Sequence, residues 1–192
     1  MAIAFVGFTA DSRIVGTIPL ADDRLSDMLN SVARVVIRDA SVEDVDLGPL
    51  EGGAVMVPCG EFLAVVATGR RGFEGRRRRT EVRHVQLGLG RYTVTGNIHV
   101  NPEAHDDALA GRLDALLVGP DLLIPLTEAT IRYSRAGKPC KERWETLLIN
   151  RARAAWIKPA DEDDLDEPEE ELVEETPART RYVKDFTGSV AD

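Results

Sequence analysis

The chain has 192 residues, of which 43% are hydrophobic and only 5% are aromatic, and its formal net charge is −9. This length is sufficient for the core of one or two domains, which aliphatic side chains must fill. The composition excludes a helical membrane protein, because no run approaches the roughly 20 apolar residues that cross a bilayer. Two cysteines also exclude a disulfide-stabilised scaffold and favour a cytoplasmic location.

Two segments of the chain resemble each other at a sequence offset of 80 residues. Residues 13–20 and 91–100 both read as strands with one interior glycine, Gly16 and Gly96. The similarity continues through a short helical pattern, a second strand and a pair of strands split by a three-residue turn, while the offset grows to 84, 89 and 92. Growth of this kind is expected when insertions fall only in loops. The sequence therefore predicts a tandem repeat of a small unit.

The first copy, residues 1–68, is predicted to begin with two strands followed by a short helix over residues 24–31. The interior Gly16 is typical of a bulge or a sharp bend in a strand. Asp22 and Asp23 precede the helix and have side chains that can cap it. Three further strands are predicted after the helix, at residues 35–42, 54–57 and 62–67.

A basic linker, residues 69–80, leads to the second copy, residues 81–158. Short strands with a glycine bend, a helix of one or two turns and a closing strand pair predict an α+β fold. We expect two tandem small, mostly antiparallel, β-barrel-like units. The order of elements resembles an Sm-like or SH3-like barrel, a fold that hosts unrelated functions.

The segment Arg24-Leu25-Ser26-Asp27-Met28-Leu29-Asn30 follows the glycine-containing strand. This order resembles an uncharacterised bacterial domain family, whose hallmark is such a strand followed by Arg-Leu-Ser-Asp-x-Leu-Asn. The resemblance implies no activity. The polar residues of the motif, Arg24, Asp27 and Asn30, either present a partner-binding helix edge or cap a short helix through bonds to its backbone.

The arginine-rich linker is the sharpest charge feature of the sequence. Its candidate polyanion-binding residues are Arg70, Arg71, Arg76, Arg77, Arg78, Arg79 and Arg83. Seven guanidinium groups can neutralise several phosphates and give salt-dependent binding to nucleic acid or anionic lipid. Two alternatives stay open: a solvated linker, or a segment that pairs with the acidic run of the chain itself.

The C-terminal region consists of an acidic segment and a terminal peptide. Residues 159–178 include eleven carboxylates between Asp161 and Glu175 without a basic residue, and they are predicted to be disordered. Residues 179–192 regain apolar side chains, which favours a docking peptide that adds a strand or an anchor to a partner or a second copy. Its alternative is a frayed end. The docking candidates are Tyr182, Val183 and Phe186.

Catalytic and metal chemistry have weaker support in the sequence. His99, His105, Asp106 and Asp107 are metal-ligand types, but their spacing is not that of a compact zinc site. Cys59 has no histidine placed near it by the repeat, which favours a core position over a nucleophile. We therefore expect no catalytic residue and no cofactor.

Three functions follow from these patterns. The first is a non-enzymatic scaffold or regulatory adaptor that contacts a protein partner, or itself, through strand edges and its tail. The alternative is a nucleic-acid-binding protein that uses the arginine linker and is masked by the acidic tail. The third is a metal-dependent enzyme at His99 and His105.

Overall fold

The computed structural model describes residues 2–20, 24–44, 48–51, 53–67, 80–100 and 120–160, and these form strands with one helix. The strands are β1 (Ala2–Phe8), β2 (Ser12–Pro19), β3 (Arg34–Asp44), β4 (Gly48–Glu51), β5 (Val55–Pro58), β6 (Ala64–Val66), β7 (Glu81–Leu89), β8 (Tyr92–Val100), β9 (Leu123–Arg135), β10 (Lys138–Asn150) and β11 (Trp156–Pro159). The helix is α1 (Leu25–Ser31), and short 3-10 turns occupy Cys59–Glu61 and Arg151–Arg153. Below, the first half means residues 2–67 and the second half means residues 80–160.

The strands form one open sheet in which every neighbouring pair is antiparallel. The order along the sheet is β11-β7-β8-β9-β10-β6-β1-β2-β3-β4, and β5 pairs with β3. The predicted α+β fold with two barrel-like units is therefore wrong, because the described residues build a mostly β structure. The physical reason is the position of β6. It pairs with β1 on one side and with β10 of the second half on the other, so the sheet continues through it.

Both halves contain the same β-bulge at equivalent positions. The register between β2 and β3 shifts between Val15 and Thr17, and that between β8 and β9 shifts between Thr95 and Asn97, 80 residues later. Opposite each shift an acidic residue adopts a positive φ: Asp39 at 49° and Glu128 at 51°. A bulge inserts one extra residue and bends the strand. The sheet thus bends at the same point in each half.

Gly16 and Gly96 lie inside these bulges, where the neighbouring strand approaches too closely for a side chain. A Cβ on Gly16 would be 2.6 Å from the carbonyl oxygen of Arg38, and one on Gly96 would be 3.0 Å from that of Thr127. The interior glycines of the two strands are therefore explained by close approach of backbone.

The ends of the two halves also correspond, at an offset of 92 residues. Glu51 of β4 pairs with Ser41 of β3, and Arg143 of β10, 92 residues after Glu51, pairs with Thr130 of β9, which lies 89 residues after Ser41. Together β4 and β5 occupy the place in the first half that β10 fills in the second. The two 3-10 turns are 92 residues apart, as are the starts of β6 and β11.

The buried side chains form two clusters, one centred on each half. The first-half core includes Phe5, Ile18 and Phe62 but also takes Leu123 and Leu148 from the second half. The second-half core is built around β7 to β10 and includes residues of β1 and β6. Each core is therefore completed by side chains from the other half.

Tyr92 is buried in the second-half core, edge-on to Phe8 at a centroid distance of 5.7 Å. Burial raises its pKa to about 12, and its hydroxyl has no hydrogen-bond partner among the described residues. The neutral phenol is the favoured folded form. Stability should therefore be independent of this group below pH 10, the usual tyrosine value, and should fall as pH rises from about 10 towards 12.

We expect Tyr92→Phe to reduce the loss of stability at alkaline pH and to leave stability at pH 7 unchanged or slightly higher, since no hydrogen bond is lost. Denaturant unfolding of both proteins at neutral and alkaline pH checks this result. A variant that is destabilised at pH 7 by more than about 1 kcal/mol would indicate that the hydroxyl has a partner.

Candidate functional site

Most of the predicted polyanion site and all of the predicted docking peptide lie outside the described residues. This applies to Arg70, Arg71, Arg76, Arg77, Arg78, Arg79, Tyr182, Val183 and Phe186, so both hypotheses stay predictions. Arg83 is described: it lies half-buried on β7 and pairs with Glu81 of the same strand.

The helix motif is placed on α1 and the residue before it. Arg24 and Asp27 are exposed. Arg24 is the N-cap residue of the helix, but its side chain makes no capping hydrogen bond. Asn30 instead reaches the second half, where its Nδ2 donates to the carbonyl oxygen of Leu123 (3.1 Å) and its Oδ1 accepts from the amide of Leu123 (2.8 Å). The Asn30 side chain thus forms, with one residue of β9, the two hydrogen bonds that a neighbouring strand would form.

Of the metal-ligand candidates, only His99 lies in the part of the chain that the structure describes. His99 is exposed between the hydroxyls of Thr80 and Thr127, each 3.2 Å away. His105, Asp106 and Asp107 lie outside the described residues, and the described ones contain no group of three potential metal ligands. Cys59 is buried, and burial raises the pKa of its thiol.

A polar line crosses the sheet on β7, β8 and β9. Nδ2 of Asn97 donates to Glu128 (2.7 Å), so its Oδ1 faces Nδ1 of His84 (2.9 Å) and must accept from it. Nδ1 of His84 therefore carries a hydrogen. The equivalent contact in the first half joins Thr17 to Asp39 at 3.4 Å. Because the acidic residue of each bulge receives a hydrogen bond from the strand opposite, this line belongs to the bulge.

A second polar group connects the halves across the sheet. Arg13 pairs with Glu43 of β3 (3.3 Å) and with Glu142 of β10 (3.4 Å). Glu142 also accepts a hydrogen bond of 2.6 Å from the hydroxyl of Tyr133. Burial and this hydrogen bond raise the pKa of Tyr133. These side chains pair with one another, and Arg135 also pairs with Glu43 (3.0 Å), so the cluster stabilises the contact between the halves.

The feature that distinguishes this sheet is the joint, by which we mean the pairing of β6 with the end of β10. Its register is Leu147 opposite Val66, Leu148 opposite Val65 and Ile149 opposite Ala64. The amide of Asn150 donates to Leu63 (2.9 Å), and the amide of Ala67 donates to Thr146 (3.0 Å), so one bond flanks the joint on each side. All six paired side chains are buried.

Asn150 fixes the joint from within. It is fully buried, and its Nδ2 donates to the carbonyl oxygens of Phe62 (2.9 Å) and Gly60 (3.3 Å). Its Oδ1 accepts from the amide of Ala152 at 3.0 Å. One side chain of the second half thus satisfies backbone groups in the 3-10 turns of both halves.

The repeat places a counterpart of each joint strand at an open position of the sheet. The counterpart of β10 at the offset of 92 is β5, and that of β6 is β11. In the described residues β5 pairs with β3, and β11 pairs with β7 at one end of the strand order. Two of the most exposed large apolar side chains lie on these strands, Met56 at 59% and Trp156 at 42%.

The backbone groups on these two strands point outward at defined residues. Val57 faces Val35, and the amide of Cys59 donates to Ala33. Because antiparallel strands alternate between bonded and non-bonded pairs, the amide and carbonyl of Met56 face away from β3. On β11 the amide of Ala160 donates to the carbonyl oxygen of His84. Bonded and non-bonded pairs alternate from that point, so the amide and carbonyl of Ile157 face away from β7.

Comparisons of the chain with protein-family models, curated proteins and solved structures found no match. Its interpretation therefore rests on its own residues. The described residues also contain no helix that is both long and apolar enough to span a membrane.

Sequence reasoning missed Met56, Trp156 and Asn150 as residues of interest. The sequence did contain a signal for Asn150, because at the offset of 92 residues Asn150 aligns with Pro58. Pro58 lacks the amide hydrogen that Asn150 has, so the two aligned strands cannot form the same hydrogen bonds. This difference indicates that they have different neighbours.

Proposed function

We propose that this chain is a non-enzymatic interaction protein that binds by strand addition at β5 and β11. The observation that carries the proposal is the pair of open strands with Met56 and Trp156 exposed on them. An open strand offers unpaired amide and carbonyl groups, which add affinity, while alternate side chains give specificity. The sheet already uses this mode internally, at the joint.

The arrangement of polar residues supports the same proposal. The side chains of the bulge line and of the Arg13 cluster bond mainly to other residues of the sheet. By contrast, the outward groups of Met56 and Ile157 lie beside apolar side chains, a combination that strand addition buries.

Met56→Lys should abolish partner binding at β5, because a charge beside the open edge opposes its burial. Val82→Lys is the matched control, since Val82 is exposed to a similar extent, 53%, but lies on β7. Affinity capture with the full chain, from extracts of the cells that make it, measures the effect. We expect proteins that bind at β5 to be recovered with the original chain and with Val82→Lys and to be lost with Met56→Lys, whereas proteins that bind at β11 are retained by all three chains. Equal recovery of every protein with all three chains would contradict the proposal.

A further inference from the structure

We propose that β5 of one copy of this chain pairs with β11 of the next copy, in a head-to-tail assembly that repeats the internal joint. This inference rests on the proposed function and names the partner as a second copy. The template is the joint itself, where the strand equivalent to β5 already pairs with the strand equivalent to β11. Each copy then retains one open β5 and one open β11, so the same contact is available at both ends.

The register of the contact follows from the offset of 92 residues. Leu148 opposite Val65 in the joint becomes Met56 opposite Ile157 between copies. Val57 then faces Trp156, and Val55 faces Lys158. Met56 and Ile157 each direct both an amide and a carbonyl outward, so they are placed to exchange both hydrogen bonds of a bonded antiparallel pair.

The side chains support this register. Leu148, the counterpart of Met56, is 2% exposed because it packs into the first-half core beside Val65. Ile157, the counterpart of Val65, is half-buried against the second-half core. Met56 of a neighbouring copy would pack beside Ile157 on that core. Met56 occupies the position equivalent to Leu148, but among the described residues no strand pairs with the other edge of β5, and the Met56 side chain is 59% exposed.

Two prolines limit the strength of the contact. At the offset of 92, Pro58 replaces Asn150 and Pro159 replaces Ala67, the two residues whose amides donate the flanking bonds of the joint. Proline has no amide hydrogen, so neither bond forms between copies. The assembly should therefore be weaker than the joint and should depend on concentration. Such a contact uses different surfaces on the two copies, so it closes into a ring or extends as a filament.

The first test is disulfide trapping with variants of the full chain that each carry one introduced cysteine, while the native Cys59 stays in place and is buried. Met56→Cys and Ile157→Cys, each in a Cys140→Ser background, are mixed under a mild oxidant such as oxidised glutathione. Bonded pairs place their Cα atoms about 5.5 Å apart, within disulfide range. We expect a linked species that contains one copy of each variant, and little linkage of either variant alone.

The control mixture contains Val82→Cys in place of Met56→Cys. Linkage of Met56→Cys with Ile157→Cys no faster than this control would overturn the proposal. Linkage of Met56→Cys with itself at the rate of the mixture would also overturn it, because that result indicates a two-fold contact through β5.

The second test strengthens the contact. Pro58→Asn restores an amide donor and the side chain found at the equivalent position of the joint, so we expect a roughly tenfold lower dissociation constant. Sedimentation of the full chain measures it, with masses at multiples of 21.0 kDa. Pro139→Asn, at an exposed proline of β10, is the control and should sediment as the original chain does.

A single 21.0 kDa species for the original chain and for Pro58→Asn at every concentration would overturn the self-assembly. That outcome leaves the capture experiment to decide the proposed function separately. If Met56→Lys still abolishes capture of another protein, strand addition stands and only the second copy is rejected. If both experiments fail, neither edge is a binding site.

Discussion

Gly16→Ala should lower the free energy of unfolding by about 3 kcal/mol. The new methyl group would lie 2.6 Å from the carbonyl oxygen of Arg38 and 2.6 Å from Cγ2 of Ile37. The first atom is backbone in the centre of a paired strand and the second belongs to a fully buried side chain, so neither can move without breaking other contacts. The bulge between β2 and β3 must then open.

The equivalent glycine and an open one provide graded controls. Gly96→Ala should cost about 2 kcal/mol, because its nearest contacts, at 2.9 and 3.0 Å, are with the side chain of Leu126 and the oxygen of Thr127. Gly60→Ala meets nothing within 4 Å and should change stability by less than about 0.5 kcal/mol. Denaturant unfolding of the three variants measures this order. An unchanged Gly16→Ala protein would show that the bulge relaxes freely.

Local structure was predictable from this sequence because local residues determine it. Alternating apolar residues place most of the strands, and the helix predicted over residues 24–31 is present at Leu25–Ser31. The interior glycines Gly16 and Gly96 indicate a bulge, since only glycine allows the close approach found there. These features depend on side-chain periodicity and on backbone sterics within a few residues.

The arrangement of the halves was not predictable in the same way. A strand such as β6 has two edges, and the sequence of Ala64–Val66 does not indicate which strand occupies the second one. Closure into a barrel and continuation into another sheet bury the same apolar side chains. The choice depends on long-range pairing with Leu147–Ile149, more than 80 residues away, and on loop geometry that apolar periodicity does not encode.

The candidate site was hidden for a related reason. Met56 and Trp156 read as ordinary core residues in alternating strands, and their exposure follows only from the pairing of the neighbouring strands. Asn30 and Asn150 read as helix-capping and turn residues, yet each bonds to backbone of the other half. Polar side chains that hydrogen-bond to backbone groups far away in the sequence follow no regular spacing, so no sequence pattern reveals them.

Asn150→Ala should be the most damaging truncation at the joint and should cost about 3 kcal/mol of unfolding free energy. The side chain is fully buried and satisfies the carbonyl oxygens of Gly60 and Phe62 and the amide of Ala152. Its removal leaves the buried carbonyl oxygen of Phe62 without this donor, a loss of about 1–3 kcal/mol, whereas the oxygen of Gly60 still accepts from Nε of Arg153 (3.2 Å). The cavity left by the amide adds to the loss.

Two further variants separate the hydrogen bonds from the cavity. Asn150→Asp fills nearly the same volume but directs a carboxylate at two carbonyl oxygens, so at pH 7 it should be at least as destabilising as alanine. Asn30→Ala removes two bonds to Leu123 at a half-buried position and should cost about 1.5 kcal/mol. Denaturant unfolding ranks the three proteins. If Asn150→Asp is as stable as the original chain, volume and not hydrogen bonding fixes the joint. If Asn30→Ala costs more than Asn150→Ala, the helix contact with β9 holds the two halves together more strongly than the strand pairing does.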